Sequence, residues 1–487
     1  MVFSSVIFVL VFLPIVLAVH SLLLGAGCWA RKRSLWGGNE FLSCNMCLLG
    51  ASLVFYAWGE PYYVFIMIIS AAANYLCGAA LARADSRRGL ILAIGILLNL
   101  GLLGYYKYMG MLSEFVPEGW RAHLAGIALP LGISFYTFQG MSYLIDVYRS
   151  DVKSSRGFVN FACYLTMFPQ LVAGPIVRYS SIDDELSCRR ISWERFAGGA
   201  SRFIIGLAKK LFIADTLARV ADAAFAVPTE TLPAFGAWAG IAAYGLQIYY
   251  DFSGYSDMAI GMGHMLGFTF PENFSYPYAA RSMRDYWRRW HISLSAWFRD
   301  YLYIPMGGSK NGRAATAFNL IVVFAACGLW HGASLIFLAW GLYHGCFLAL
   351  ERIFPRMTER MPAAIRHFYV IAVFLMGWVL FRADSFSHAL GYYKALLGFY
   401  DAGVYTNRLW LTLFQNDKYM AFIIGVICAA PVIPRVKAHF EAFAGSAAPL
   451  MSFACYAGRA LILLLLLLMC YMPLFGKTYT PFIYFRF

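Results

Sequence analysis

Gly328-Leu329-Trp330-His331-Gly332 stands between two apolar segments, 315–330 and 333–350. A titratable imidazole in such a place is costly unless it faces the bundle interior or water. There it can accept a proton near neutral pH. The flanking glycines let backbone or ligand approach closely. His344 follows thirteen residues on, over three turns away along a continuous helix, and is expected to be a packing residue out of reach of His331.

Arg281, Arg284, Arg288 and His291 recur at i, i+3, i+7 and i+10, with Arg289 beside them. On one helix that spacing lines a single face. Guanidinium forks take phosphate oxygens in pairs, so the stripe suits a pyrophosphate or a phosphopantetheine phosphate. The alternative is an interfacial helix whose arginines snorkel to the cytoplasmic face. A third group, Tyr249-Tyr250-Asp251-Phe252-Ser253-Gly254-Tyr255-Ser256-Asp257, lies in an otherwise apolar stretch. Asp251 and Asp257 do not share a helical face, and the glycine and serines suggest a helix break. Buried carboxylates need partners. The basic stripe is their nearest supply, so a structural role is favoured over catalysis.

The elements that must hold these side chains belong to a membrane. The chain has 487 residues, 61% hydrophobic and 13% charged, where soluble domains carry roughly 25% charged residues. The apolar residues come in runs: Val2 to Leu24 has His20 as its only ionisable side chain, and Leu463 to Leu468 are six leucines in a row. About 20 apolar residues cross a ~30 Å hydrocarbon layer. Candidate spans are 2–27, 41–58, 61–82, 89–106, 124–145, 196–214, 234–263, 315–330, 333–350, 367–382, 419–434 and 458–475. No cleaved leader is expected, since Met1 to Ser5 carry no charged side chain. The basic cluster Arg31-Lys32-Arg33 follows the first span, and Arg83, Arg87 and Arg88 follow the third. The positive-inside rule places both in the cytoplasm and the N-terminus outside. One domain is expected over 1–487, with N-terminal spans to 106 and a catalytic part over 107–487.

Two segments are not clean spans. Phe158 to Val177 contains Phe168-Pro169-Gln170 and Ala173-Gly174-Pro175, with Lys153 and Arg156 before it and Arg178, Arg189 and Arg190 after. Basic flanks on both sides predict a re-entrant hairpin, and broken backbone at membrane depth survives only inside protein or beside a cavity. Pro271 to Gly312 is too polar to span, and its mixture of basic and aromatic side chains favours the membrane interface.

The net charge of +14 reads as cytoplasmic loops beside anionic lipid rather than as a nucleic-acid surface. Of eleven cysteines only Cys44 and Cys47 form a CxxC, inside an apolar span and without a second pair of ligands. No Walker, Rossmann, HExxH or GxSxG pattern is present. Broken helices and intramembrane charges also suit a transporter, but no pattern repeats in two halves.

At these residues the chain resembles the membrane-bound O-acyltransferase family, in the branch of alginate O-acetyltransferase and teichoic-acid D-alanyl transfer. The matching blocks are Leu131–Gln139, Phe168–Ile176, Tyr250–Asp257, Trp287–Gly308, Trp330-His331-Gly332 and Pro481–Phe485. The first hundred residues match only in hydropathy, and His264 and Arg486 are local departures outside the catalytic blocks. The resemblance implies an all-α fold: a ring of about 11 transmembrane helices, with re-entrant and interfacial helices, around a central tunnel. It implies that His331 is the essential histidine and His291 a second, cytoplasm-facing one.

On that reading Arg281, Arg284, Arg288 and Arg289 hold a cytoplasmic donor, either acetyl-CoA or a phosphopantetheinyl carrier protein. His331 is the general base and His291 holds or polarises the thioester carbonyl. Trp330, Asp251, Asp257, Gln170 and Trp287 line or support the tunnel. No bound cofactor or metal is expected. The acyl group leaves on the outer face of a bacterial inner membrane, for a polysaccharide such as alginate or for a partner acyltransferase. D-alanyl transfer to teichoic acid and peptidoglycan O-acetylation are the alternatives.

Overall fold

In a computed structural model, residues 1–32, 41–113, 116–189, 191–400, 416–446, 449–476 and 482 are described. Arg33, Arg190, Arg486 and, apart from Phe482, the block Pro481–Phe485 lie outside them. Among the described residues the regular elements are all helices, and the one isolated bridge is antiparallel, between Phe274 and Trp290. Seven helices among the described residues are long and apolar enough to cross a membrane, or eight if one bent pair is a single span. The chain is therefore a polytopic, all-helical membrane protein.

The helices that matter here are α1 (Leu13–Lys32), α2 (Leu42–Ala57), α3 (Tyr63–Arg83), α4 (Arg88–Leu103), α5 (Ile133–Arg149), α6 (Phe158–Thr166), α7 (Tyr179–Ser187), α8 (Trp193–Ala208), α9 (Asp215–Ala226), α10 (Ala234–Leu266), α11 (Met283–Arg289), α12 (Ile292–Phe298), α13 (Gly312–His331), α14 (Leu335–Ile353), α15 (Ala363–Arg382), α16 (Phe386–Leu396), α17 (Asp417–Ala429), α18 (Val432–Ser446) and α19 (Pro449–Gly476). They form two compact units: residues 1–203 with 255–272, and residues 204–254 with 273–487.

In the first unit the segment expected over 124–145 is non-helical over 126–132, between a helix that ends at Ala125 and α5, which starts at Ile133. Gly132 precedes it at φ 76°, where an added Cβ would meet the Leu171 carbonyl oxygen at 2.6 Å. Glycine alone fits both the left-handed backbone and that approach. The chain breaks after α6, at Met167, and folds back, so that the Tyr164 hydroxyl donates to the Val177 carbonyl at 3.2 Å. Gln170 is buried in this turn, its amide donating to the Tyr164 carbonyl. The lone ionisable residue of the first span, His20, accepts from Arg189 at 3.1 Å. Asn45 also accepts from Arg189, and the Phe41 and Phe268 rings flank that guanidinium.

Three sequence expectations are corrected here. No break occurs at Gly254, because α10 runs unbroken for 33 residues. Its glycines mark close packing instead: a Cβ on Gly254 would meet the Gly206 carbonyl at 2.7 Å, and one on Gly261 the Gly199 carbonyl at 2.6 Å. The carboxylates are not served by the arginine stripe. Asp251 pairs with Lys210 at 2.6 Å, and Lys210 also holds Asp215 at 2.9 Å. Asp257 pairs with Arg202 at 2.9 Å, and Arg202 also binds Glu272. The span expected over 419–434 is bent by 70° between α17 and α18, where Pro431 cannot continue the helix.

The second unit contains the hairpin of α13 and α14. A Cβ on Gly341 would lie 2.1 Å from the Phe324 carbonyl, and one on Gly328 2.3 Å from that of Phe337. Small residues at such crossings let two membrane helices touch backbone to backbone. The chain reverses over Gly332-Ala333-Ser334, so His331 and His344 are not on one continuous helix.

Candidate active site

His331 is the last residue of α13 and is 3% exposed. Its imidazole is enclosed by aromatic rings: Trp330 at 4.9 Å, Trp340 at 5.1 Å and Phe381 at 5.3 Å, with the His291 ring 6.5 Å away. His344 lies beyond Trp340, whose ring is 5.1 Å from it.

His291 reaches this place because the arginine-bearing helix stops short of it. α11 ends at Arg289, Trp290 is extended, and His291 adopts φ 45° before α12 begins. The expected single face from Arg281 to His291 is thereby broken: the arginine heads stay exposed while the imidazole turns fully inward. A left-handed non-glycine residue costs of the order of 1–3 kcal/mol and persists where surrounding structure demands it. Asn273 supplies that demand. Its carbonyl oxygen accepts from the Ser293 amide at 3.2 Å and the Ser293 hydroxyl at 2.8 Å, and it lies 3.2 Å from His291 Nδ1. An amide oxygen only accepts, so Nδ1 carries the proton. Burial drives the His291 pKa down to about 3. The ring is therefore neutral, with the Nε2 lone pair as its second function. Polarising a carbonyl from Nε2 would need a proton there. Phe252 packs edge-on against the same ring at 4.6 Å.

A cavity of about 850 Å³ opens in the same unit. Arg313, Thr316, Leu320, Phe324 and Cys327 line it as a stripe along α13. At ~1.5 Å per residue the stripe is roughly 21 Å long. His331 is the next position in that stripe, one turn beyond Cys327, and is not itself a lining residue. Trp287 lines the cavity and lies 5.9 Å from Trp340, so two indoles stand between cavity and imidazole.

The cavity is also lined by five arginines: Arg284, Arg288, Arg299, Arg313 and Arg352. Two of the four arginines expected to bind a donor are thus present. The other two point elsewhere: Arg289 pairs with Asp285 at 2.8 Å and donates to the Ser275 carbonyl, and Arg281 is exposed beside Asp285. Arg299, Arg313 and Arg352 share no spacing pattern in the sequence, because the fold brings them from three separate elements. Asn273 was missed for a similar reason, having no periodic or motif signal. Asp251 is in this unit with the histidines, whereas Gln170 and Asp257 belong to the first unit. Among the described residues no three His, Cys, Asp or Glu side chains form a metal-binding group.

A polytopic helical protein with a buried imidazole beyond an arginine-lined cavity has the parts of a membrane-embedded group-transfer enzyme. The family model described as MBOAT, membrane-bound O-acyltransferase family, matches residues 133–387, and the chain belongs to that family. It is an O-acyltransferase. It is 37% identical to the Pseudomonas putida protein named "Probable alginate O-acetylase AlgI" over the full length of both chains. Identity to the Pseudomonas aeruginosa protein of that name is 40%, over 82% of this chain and 75% of the relative. A peptidoglycan O-acetyltransferase of Helicobacter pylori is 32% identical, over 73% of this chain and 74% of the relative.

Proposed function

We propose that this chain transfers an acetyl group from a cytoplasmic thioester across a bacterial inner membrane, for O-acetylation of an extracytoplasmic polysaccharide such as alginate. One observation carries the mechanism: the stripe on α13 that runs from Arg313 through Cys327 toward His331. A donor laid along it has its phosphates among the guanidiniums and its thioester at the His331 end. Five arginines suit the three phosphates of coenzyme A better than the single phosphodiester of a carrier protein.

In the reaction His331 takes the proton of the acceptor hydroxyl. The oxygen attacks the thioester carbonyl carbon, the C–S bond breaks, and the leaving sulfur takes the proton. General-base help of this kind contributes roughly 10²–10⁴-fold. His291, neutral and fixed by Asn273, offers Nε2 as an acceptor that can orient the hydroxyl. The acceptor is the polysaccharide itself or a partner acyltransferase on the outer face. The N-terminus faces outward on this reading, with the basic loops after the first and third spans in the cytoplasm.

Mass spectrometry of surface polysaccharide, from cells carrying wild type or His331→Ala, tests this. Loss of O-acetyl groups with normal membrane insertion is expected. Unchanged acetylation would overturn the assignment. Loss of acetyl from peptidoglycan instead would move the acceptor to the one named for the Helicobacter pylori relative. A supply of D-alanyl carrier protein that replaces acetyl-CoA would change the donor.

A further inference from the structure

α11 has seven residues, too few to be stable alone. Its first N–H groups have no partner within the helix. Ser282 accepts from the Asp285 amide at 3.0 Å. The Met283 and Arg284 amides both go to one side chain from another element. They donate to the two carboxylate oxygens of Glu351, on α14, at 2.7 and 3.1 Å. Glu351 is buried and lines the same cavity as the arginines. A carboxylate facing a phosphate cleft repels the ligand, so a buried one there needs a reason. Its two amide bonds supply one: they are charge-assisted and fix the start of α11 in distance and rotation.

α11 carries Arg284 and Arg288 into the cavity, and α14 forms the hairpin with the helix that ends in His331. One side chain therefore ties two of the phosphate-binding arginines to the element that sets the general base. We infer that Glu351 is a positioning residue for the acyl donor, fixing where its phosphates sit relative to His331. The inference rests on reading the cavity as the donor site.

Glu351→Gln places an amide NH₂ against one of the two backbone donors and leaves α11 held by half of its clamp. In the purified full-length enzyme, the KM for acetyl-CoA and the dissociation constant of coenzyme A should both rise on the order of 10-fold. Turnover at saturating donor should stay within about 3-fold of wild type. Unchanged KM in a folded variant overturns the inference, as does a fall in turnover with KM unchanged, which would mean contact with the reacting groups. If Glu351→Gln fails to insert, Ser282→Ala loosens the same helix end more gently. It should show the same KM-only signature on the order of 3-fold, and a flat KM there also overturns the inference. Arg288→Ala, measured in parallel, separates the two levels. An unchanged KM in Arg288→Ala removes the cavity as donor site. A raised KM there with a flat Glu351→Gln removes only the role of Glu351.

Discussion

The imidazoles of His291 and His331 lie 6.5 Å apart, centre to centre, with their planes at 62°. A direct hydrogen bond needs the two nitrogens within about 3.2 Å, closer than this ring separation allows, and on the proposed reading the acceptor hydroxyl bridges the two rings. A hydroxyl held there can give its proton to His331 while His291 Nε2 orients it. Asn273→Leu removes the acceptor that fixes the His291 tautomer. We expect turnover to fall 10- to 100-fold with the donor KM unchanged, measured by steady-state kinetics. Wild-type turnover in that variant would dismiss the role given to Asn273.

His291 also makes a pH prediction. Its pKa is held down at about 3 in the folded protein, against about 6.5 for an unstructured histidine. Between those values the unfolded chain binds the extra proton, so stability rises with pH. The contribution is complete above about pH 6.5 and is lost as pH falls toward 3. Asn273→Asp places a carboxylate beside Nδ1 and raises that pKa toward the unfolded value, so the loss becomes smaller and ends at a higher pH. It also stabilises the imidazolium, which has no lone pair to offer. Its activity profile should acquire an acid limb near neutrality, visible in turnover against pH.

Lys210 holds Asp251 and Asp215 in the second unit, all three buried. Removing one partner of a buried ion pair leaves an uncompensated charge and costs about 3–5 kcal/mol. Lys210→Met leaves two carboxylates facing each other and should be worse than Asp251→Asn, which leaves one pair intact. Thermal unfolding in detergent orders the two, and the reverse order would show that Lys210 is not the centre of the cluster.

The hairpin makes a steric prediction. Gly341→Ala puts a methyl group 2.1 Å from the Phe324 carbonyl oxygen, which is backbone and cannot rotate away. The two helices must separate, at a cost of the order of 1–3 kcal/mol, and His331 moves with them. Both folded yield and turnover should fall. Gly89→Ala, where nothing lies within 4 Å, serves as the neutral comparison.

Much of this was legible in the chain. Apolar runs located seven of the twelve expected spans, with an eighth bent at Pro431, whereas 41–58, 124–145, 196–214 and 234–263 are not among the described helices long and apolar enough to cross. The glycines around His331 mark a place where backbones meet. The doublets Phe168-Pro169 and Gly174-Pro175 announced the fold-back that Tyr164 closes onto Val177. What sequence could not supply was pairing across distance. Asp251 found Lys210, forty-one positions earlier, rather than the arginines nearer in the chain. The arginine stripe reads as one face because i, i+3, i+7 spacing assumes a continuous helix, and the turn at Trp290-His291 carries no proline or glycine to announce it. Arg299, Arg313 and Arg352 each look like ordinary interfacial arginines until the fold brings them to one cavity.

Trp287 and Trp340 separate that cavity from His331, through ring distances of 5.9 and 5.1 Å. Trp287 shares α11 with Arg284 and Arg288, so on the proposed reading donor phosphates would grip the helix that carries this indole. An acyl thioester exposed to a general base without an acceptor is liable to hydrolysis, and excluding water from such a site suppresses that side reaction. Trp287→Ala should open the cavity toward the imidazole. Thiol release from acetyl-CoA in the absence of acceptor is expected to rise on the order of 10-fold, while transfer to polysaccharide falls. The double variant Trp287→Ala, His331→Ala should return thiol release to background, because the leak requires the base. If Trp287→Ala leaves acceptor-free hydrolysis unchanged, the indole is packing rather than a barrier, and the donor reaches His331 by another path.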